Sequence, residues 1–127
     1  MRRIIQTQDA PSPIGPYNQA VMAGNTLYIS GQIPMDPMTG DLVSGDIKKE
    51  TDQVMNNLLA VLKAADMNFA NVVKTSIFVK DMKQFSDINA AYGAYFNDSD
   101  APARETVEVA NLPKYVNVEI SMIAITG

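Results

Sequence analysis

Ala101-Pro102-Ala103-Arg104-Glu105-Thr106-Val107-Glu108-Val109 is the stretch around which the chain organises. It opens on a proline, whose fixed φ suits the first residue of a strand. It then alternates, with Arg104, Thr106 and Glu108 on one face and Glu105, Val107 and Val109 on the other. A second alternating run follows from Tyr115 to Ile125, in which Asn117, Glu119 and Ser121 share one face of an otherwise apolar strand. The link between the runs, Ala110-Asn111-Leu112-Pro113-Lys114, is short, which predicts antiparallel neighbours. On that reading Arg104 and Glu119 stand on adjacent strands of a small sheet, at the working end of a small-molecule site. A plain cross-strand ion pair is the competing reading, since such pairs are common on sheets and modest in energy.

Outward from this centre the chain reads β-β-β-α-β-α-β-β. Arg3 to Gln6 form a first strand, and Ala20 to Ala23 and Thr26 to Ile33 pair as a hairpin about Gly24-Asn25. Gly31 interrupts the second of these within Ser30-Gly31-Gln32, where a glycine marks a bulge or a close approach to the backbone. Between the first two strands, Ala10-Pro11-Ser12-Pro13-Ile14-Gly15-Pro16-Tyr17 is too rich in proline for regular structure, and its stiffness holds Tyr17 at modest entropic cost. A turn-rich loop, Pro34 to Asp41, precedes helix one. There Asp46 is the N-cap, Ile47, Thr51, Val54, Met55, Leu58, Leu62 and Ala65 form the apolar face, and Lys48, Glu50, Asp52, Asn56 and Lys63 the wet one. Asp66 or Asn68 takes the left-handed cap.

Asn71 to Lys80 is the next strand, with Val73, Thr75, Ile77 and Val79 facing one way and Lys74, Ser76, Phe78 and Lys80 the other. Helix two carries Phe85, Ile88, Tyr92, Tyr95 and Phe96 at helical spacing, with Asn89 on the same face as a buried amide in need of partners. These elements make an α+β fold, a single domain over residues 1–127, with both helices on one face of the sheet. The opposite face, with Phe78, Val107 or Arg104, and Glu119, is ill suited to water. It is expected to pack against copies of the same chain as a homo-oligomer.

At 127 residues, with 46% hydrophobic and 19% charged residues, the chain has enough apolar material for a core without staples. It has no cysteine and no histidine. Disulfides, thiolate nucleophiles, Cys/His zinc sites and a histidine base are therefore excluded, and catalysis must use carboxylates, hydroxyls, arginine or backbone dipoles. The net charge is −4, and the basic residues cluster no further than Arg2-Arg3 and Lys48-Lys49, which argues against nucleic acid as a partner. The apolar run after Met1-Arg2-Arg3 is too short for a signal peptide and no membrane-spanning run follows, so the expected place is the cytoplasm, with no membrane partner.

The chain resembles the RidA family of enamine and imine deaminases nearly end to end. The resemblance is carried by Ala10-Pro11 with Ile14-Gly15-Pro16-Tyr17, Ser30-Gly31-Gln32-Ile33-Pro34, Val73-Lys74-Thr75 with Val79-Lys80-Asp81, and Asn89 with Tyr92 and Phe96. Pro102-Ala103-Arg104 with Val107-Glu108-Val109, Leu112-Pro113-Lys114 and Val118-Glu119-Ile120 complete it. It implies a chorismate-mutase-like fold, a roughly six-stranded mixed sheet with two helices on one face, assembled as a homotrimer with clefts between subunits. It also implies hydrolysis of 2-iminobutanoate and 2-iminopropanoate to 2-oxo acids and ammonia, with no cofactor. Arg104 falls on the family's carboxylate-binding position and Glu119 on its water-positioning one, while Tyr17, Ser30, Gly31 and Asn89 fall on pocket positions. Thr106 stands where well-studied members carry cysteine. It keeps a hydrogen-bonding group of similar size in the substrate pocket but rules out thiol chemistry.

That chemistry suits these groups. A guanidinium grips a carboxylate through two parallel hydrogen bonds, worth roughly 1.5–3 kcal/mol each. Glu119 would position a water and take its proton, and partial burial would push its pKa toward useful base strength. The backbone of Ser30-Gly31 could bond the imine nitrogen, with Tyr17 or Asn89 shaping the wall. A different class of function, a non-catalytic trimer binding small carboxylates as a sensor or partner regulator, would need Arg104 and could do without Glu119.

Overall fold

The computed structural model describes residues 2–127; Met1, which opens the N-terminal stretch read above, lies outside them. Six strands form one sheet in the order β1-β2-β3-β6-β4-β5: β1 (Arg2–Ile5), β2 (Ala20–Ala23), β3 (Thr26–Gln32), β4 (Val72–Val79), β5 (Ala103–Glu108) and β6 (Val118–Ile125). Every pairing is antiparallel except β4 with β5, which is parallel. The helices α1 (Ile47–Ala64) and α2 (Phe85–Gly93) pack on one face, where Leu27, Ile77, Val79, Val118, Ile120 and Met122 meet Val54, Leu58, Leu62 and Ile88 in one core. The sheet is therefore mixed and six-stranded, with two helices on one side. No helix among the described residues is long and apolar enough to cross a membrane.

Local chemistry sets the ends of these elements. The Asp46 side chain accepts hydrogen bonds from the N–H groups of Lys48 and Lys49 at 3.0 and 3.4 Å, capping α1. The left-handed residue after the helix is Asp66, at φ 59°, whereas Asn68 is extended and caps a 3-10 turn over Phe69–Asn71. Glu50 departs from the wet face assigned to it. It is buried, and accepts a 2.9 Å hydrogen bond from the Asn117 amide at the approach to β6. Asn117 consequently does not join Glu119 and Ser121 on their strand, which begins one residue later. Lys114 and Tyr115, both at positive φ within the 3-10 turn Pro113–Tyr115, are what delay it. A register shift between Val72 and Lys74 likewise turns Val73 out into solvent, although period-two counting places it inside.

The larger correction concerns β5 and β6, which are not neighbours. β5 lies parallel to β4, pairing Thr75 with Arg104, Ile77 with Thr106 and Phe78 with Val107. β6 inserts between β3 and β4, pairing Phe78 with Glu119. The chain leaves the end of β5, steps across the end of β4 and returns antiparallel beyond it. Bonds from Val109 N–H to Val79 O (2.9 Å) and from Lys80 N–H to Asn117 O (3.0 Å) hold the crossing. Strands sit about 4.8 Å apart, so the nine residues from Val109 to Asn117 that join β5 to β6 reach the second strand position as easily as the first. A short link limits distance, and here it does not choose the neighbour.

Candidate functional site

Strand register divides the expected site residues between the two faces of the sheet. Arg104 and Thr106 pair with Thr75 and Ile77, whose side chains are buried on the helix side. Glu119 pairs with Phe78, on the open side. Within one chain, then, the arginine and the carboxylate face away from each other, and the adjacent-strand arrangement is overturned.

On the open side Tyr17, Ser30, Gly31 and Glu119 come together in a cleft of about 530 Å³, with Ile14, Ile33, Pro113 and Lys114 completing its walls. Gly31 serves both purposes that a glycine in a strand can have. The β3–β6 register shifts between Ile29 and Gln32, and Glu119 lies directly over the Gly31 backbone. A Cβ at residue 31 would stand 2.8 Å from the Glu119 Cδ and 3.0 Å from its Cγ, so any side chain there would displace the carboxylate. Burial raises the Glu119 pKa above the ordinary carboxylate value. The other carboxylate on this face, Glu105, behaves oppositely. The Ser76 hydroxyl donates to it and Lys74 Nζ lies 2.9 Å away, and these partners hold its pKa low. Of the two, Glu119 is the one with the character of a base.

The other members of the cleft are fixed by backbone. The Tyr17 hydroxyl accepts from the Ile14 N–H at 3.3 Å, and the ring is half-exposed. Ser30 donates through its hydroxyl to Asn18 O (2.7 Å) and through its N–H to Gln19 O (2.9 Å). The Ser30 N–H is thus committed within the fold, so a backbone contact from Ser30-Gly31 to a ligand would fall to the other groups of this pair.

On the helix side Arg104 and Asn89 meet. The guanidinium Nη1 donates to Asn89 Oδ1 at 2.8 Å, and its Cζ stands 5.2 Å from the Tyr92 ring centre and 5.8 Å from that of Phe85. Asn89 is exposed, not buried, because α2 directs it over the sheet edge toward β5; its partner is the arginine. Tyr92 is anchored in turn by its hydroxyl, which donates to Thr75 Oγ1 at 3.0 Å. Two residues along β5, the Thr106 Oγ1 is buried and without a hydrogen-bond partner. A buried hydroxyl left so costs free energy, and a ligand or a neighbouring molecule would relieve it. Among the described residues no group of three or more Asp or Glu side chains is gathered to hold a metal ion.

Sequence reasoning did not single out Phe85 and Tyr92 as supports of Arg104, nor Lys114 as cleft wall. The aromatic spacing along α2 marks an apolar face without saying what it meets, and the left-handed turn at Lys114 has no glycine to advertise it.

The sequence pattern of the family described as endoribonuclease L-PSP matches residues 7–126. A RutC family protein of Pyrococcus horikoshii is 51% identical over 124 residues, covering 98% of each chain. The human 2-iminobutanoate/2-iminopropanoate deaminase is 48% identical over 127 residues, covering all of this chain and 92% of its own. The crystal structure of E. coli TdcF with bound serine superposes with a TM-score of 0.92 at 38% identity, covering 98% of this chain and 99% of that one.

Proposed function

The chain belongs to the endoribonuclease L-PSP family, the RutC and RidA group that its motifs resemble, and from that premise we propose that it hydrolyses 2-imino acids such as 2-iminobutanoate and 2-iminopropanoate. Water adds across the C=N bond, its oxygen to carbon and a proton to nitrogen. The resulting carbinolamine then collapses to a 2-oxo acid and ammonia. Arg104 binds the substrate carboxylate through the N–H groups that Asn89 leaves free, with its plane set by Tyr92 and Phe85. Glu119 orients the water and takes its proton, a role suited to a carboxylate whose pKa burial has raised. Thr106, two residues along β5 from Arg104, lines the same site, with its hydroxyl buried in the wall. No cofactor takes part in this scheme.

The observation that carries the reading is the division of Arg104 and Glu119 between opposite faces of the sheet. A site using both must combine Arg104 of one copy with Glu119 of another, and a closed ring of three copies, a homotrimer with a cleft at each junction, satisfies this. The open face supports such packing, since Tyr28 and Val107 are 51% and 41% exposed there and Phe78 is half-buried. The name and extent of the human relative and the serine in the E. coli structure support a small amino-acid-like ligand. The ribonuclease sense of the family's description draws no support from a chain of net charge −4 without histidine.

The test couples a threonine dehydratase to the protein and follows 2-oxobutanoate formation in the presence of an amine that scavenges imine. Wild type should accelerate formation. Arg104→Ala and Arg104→Lys should each lower kcat/KM by about a hundredfold or more, because two charge-assisted bonds are lost and lysine cannot reproduce the fork. A wild type that binds a 2-oxo acid yet leaves imine decay unchanged would replace this reading with that of a carboxylate-binding trimer.

A further inference from the structure

Gln19, immediately before β2, is 3% exposed, yet its amide faces no apolar neighbour unsatisfied. Its Oε1 accepts from the Thr7 N–H at 2.7 Å, and its Nε2 donates to Thr7 O (3.0 Å), Ala10 O (3.1 Å) and Pro11 O (2.9 Å). Its own backbone oxygen accepts the Ser30 N–H, and the preceding carbonyl, of Asn18, accepts the Ser30 hydroxyl. One residue thus joins the irregular strap of residues 7–17 to the bulge at Ser30-Gly31.

We propose that Gln19 is a positioning residue of the cleft, fixing the strap that carries Ile14 and Tyr17 against the wall formed by Ser30, Gly31 and Glu119. This rests on the functional reading above. The strap has no sheet or helix ladder of its own, and its prolines supply no N–H, so its carbonyls must be met by donors from elsewhere. A primary amide is the side chain that offers two donor hydrogens and an acceptor on one plane, meeting one N–H and three carbonyls with one hydrogen shared between two of the carbonyls. Tyr17 has little hold outside the strap, being half-exposed, with its N–H donating to Gly15 O (2.9 Å) and its hydroxyl accepting from the Ile14 N–H (3.3 Å), both within the strap itself. Its place in the cleft is inherited from the grip at Thr7, Ala10 and Pro11. Catalysis is sensitive to such placement, since an error near 1 Å can lower a rate by about a hundredfold.

The experiment compares wild type, Gln19→Ala and Gln19→Glu as full-length proteins, by imine hydrolysis and by amide hydrogen exchange. Gln19→Glu keeps the shape and the acceptor while removing the donors, so it serves if the alanine variant does not fold. A folded variant should lose about tenfold in kcat while KM stays within about threefold, because Arg104 and its supports are untouched. Exchange should quicken at residues 14–18 and 30–31 and stay as in wild type along β4 and β6. A folded variant with kcat within about twofold of wild type overturns the proposal. So does failure of both variants to fold, which would assign Gln19 to the core alone. If wild type itself does not hydrolyse the imine, the functional reading falls instead, and exchange alone decides: unchanged rates at residues 14–18 and 30–31 in the variants overturn the role of Gln19.

Discussion

The cleft around Glu119 and the shelf around Arg104 are built on different principles. Glu119 sits on β6, in the interior of the sheet, half-buried over a glycine and walled by a strap that buried hydrogen bonds hold in place. Arg104 sits on β5, the sheet's edge, exposed, and held by the Asn89 amide and two aromatic rings of a nine-residue helix. A carboxylate that must act as a base gains from burial, which raises its pKa. A guanidinium that must meet a substrate gains from exposure, and it stays charged in any surroundings. Under the proposed function the fold puts each group where its own chemistry is served and, in doing so, puts them on opposite faces. Neither region is then a whole site.

Mixing two defective proteins tests the division between the faces most directly. Arg104→Ala and Glu119→Gln should each be inactive alone. Co-expressed, so that mixed oligomers form, and selected through both tags, they should regain about a third of wild-type activity per site, because every mixed ring of three holds one junction at which an intact Arg104 meets an intact Glu119. If the two residues acted within one chain, no mixture would recover activity. The assay is the dehydratase-coupled rate on co-purified mixtures carrying two different affinity tags.

The next effect is smaller and concerns the cleft alone. Burial raises the Glu119 pKa, so the ionised form needed to take a proton is lost at a higher pH than for an ordinary carboxylate. The wild-type kcat/KM should fall about tenfold per unit once pH drops below that raised value, and Glu119→Gln should remove this limb along with most of the activity. Stability runs the other way. The folded protein holds the Glu119 proton to higher pH than the unfolded chain, so this residue weakens the fold as pH rises from the unfolded pKa through the folded one. Glu119→Gln should abolish that contribution in thermal melts across the same window. A rate profile that is flat through the window in wild type would show that Glu119 orients water without taking its proton.

How much of this the sequence discloses follows the same division. Gly31 could be read as both bulge and close approach because a glycine inside a strand has few other reasons to be there, and the group approaching it is Glu119. The alternation of β5 and β6 is legible for the same period-two reason, and so is the membership of each face except at Asn117, which lies ahead of β6. Their adjacency is not legible, because the nine-residue connection from Val109 to Asn117 reaches past β4 as readily as to the next strand, and pairing depends on contacts with β3 and β4 that lie far away in the chain. Glu50 failed as a wet-face residue for a related reason. Helical period places it among charged residues, and only Asn117, brought in by the crossing over β4, gives a buried carboxylate its partner. Asn89 failed in the opposite direction, since an amide on an aromatic face reads as buried until α2 is seen to end at the sheet edge beside Arg104.

The smallest expected effect tests whether the shelf owes Arg104's orientation to the Tyr92 ring or to its hydroxyl. Tyr92 is buried, and burial chiefly raises its pKa, so its hydroxyl stays protonated and donates to Thr75 Oγ1. Thr75 is fully buried, and Tyr92→Phe leaves its hydroxyl without that partner, at a loss of about 1–3 kcal/mol. The melting temperature should fall by several degrees. The ring remains under the guanidinium in this variant, and with it the cation–π contact, so kcat/KM should stay within about twofold of wild type. Tyr92→Leu removes the ring as well, and it should lower kcat/KM further while KM rises, the mark of a loosened carboxylate grip. Equal losses of turnover in the two variants would assign the orientation of Arg104 to the Tyr92–Thr75 bond. The shelf, like the cleft, would then depend on hydrogen bonds buried beneath it.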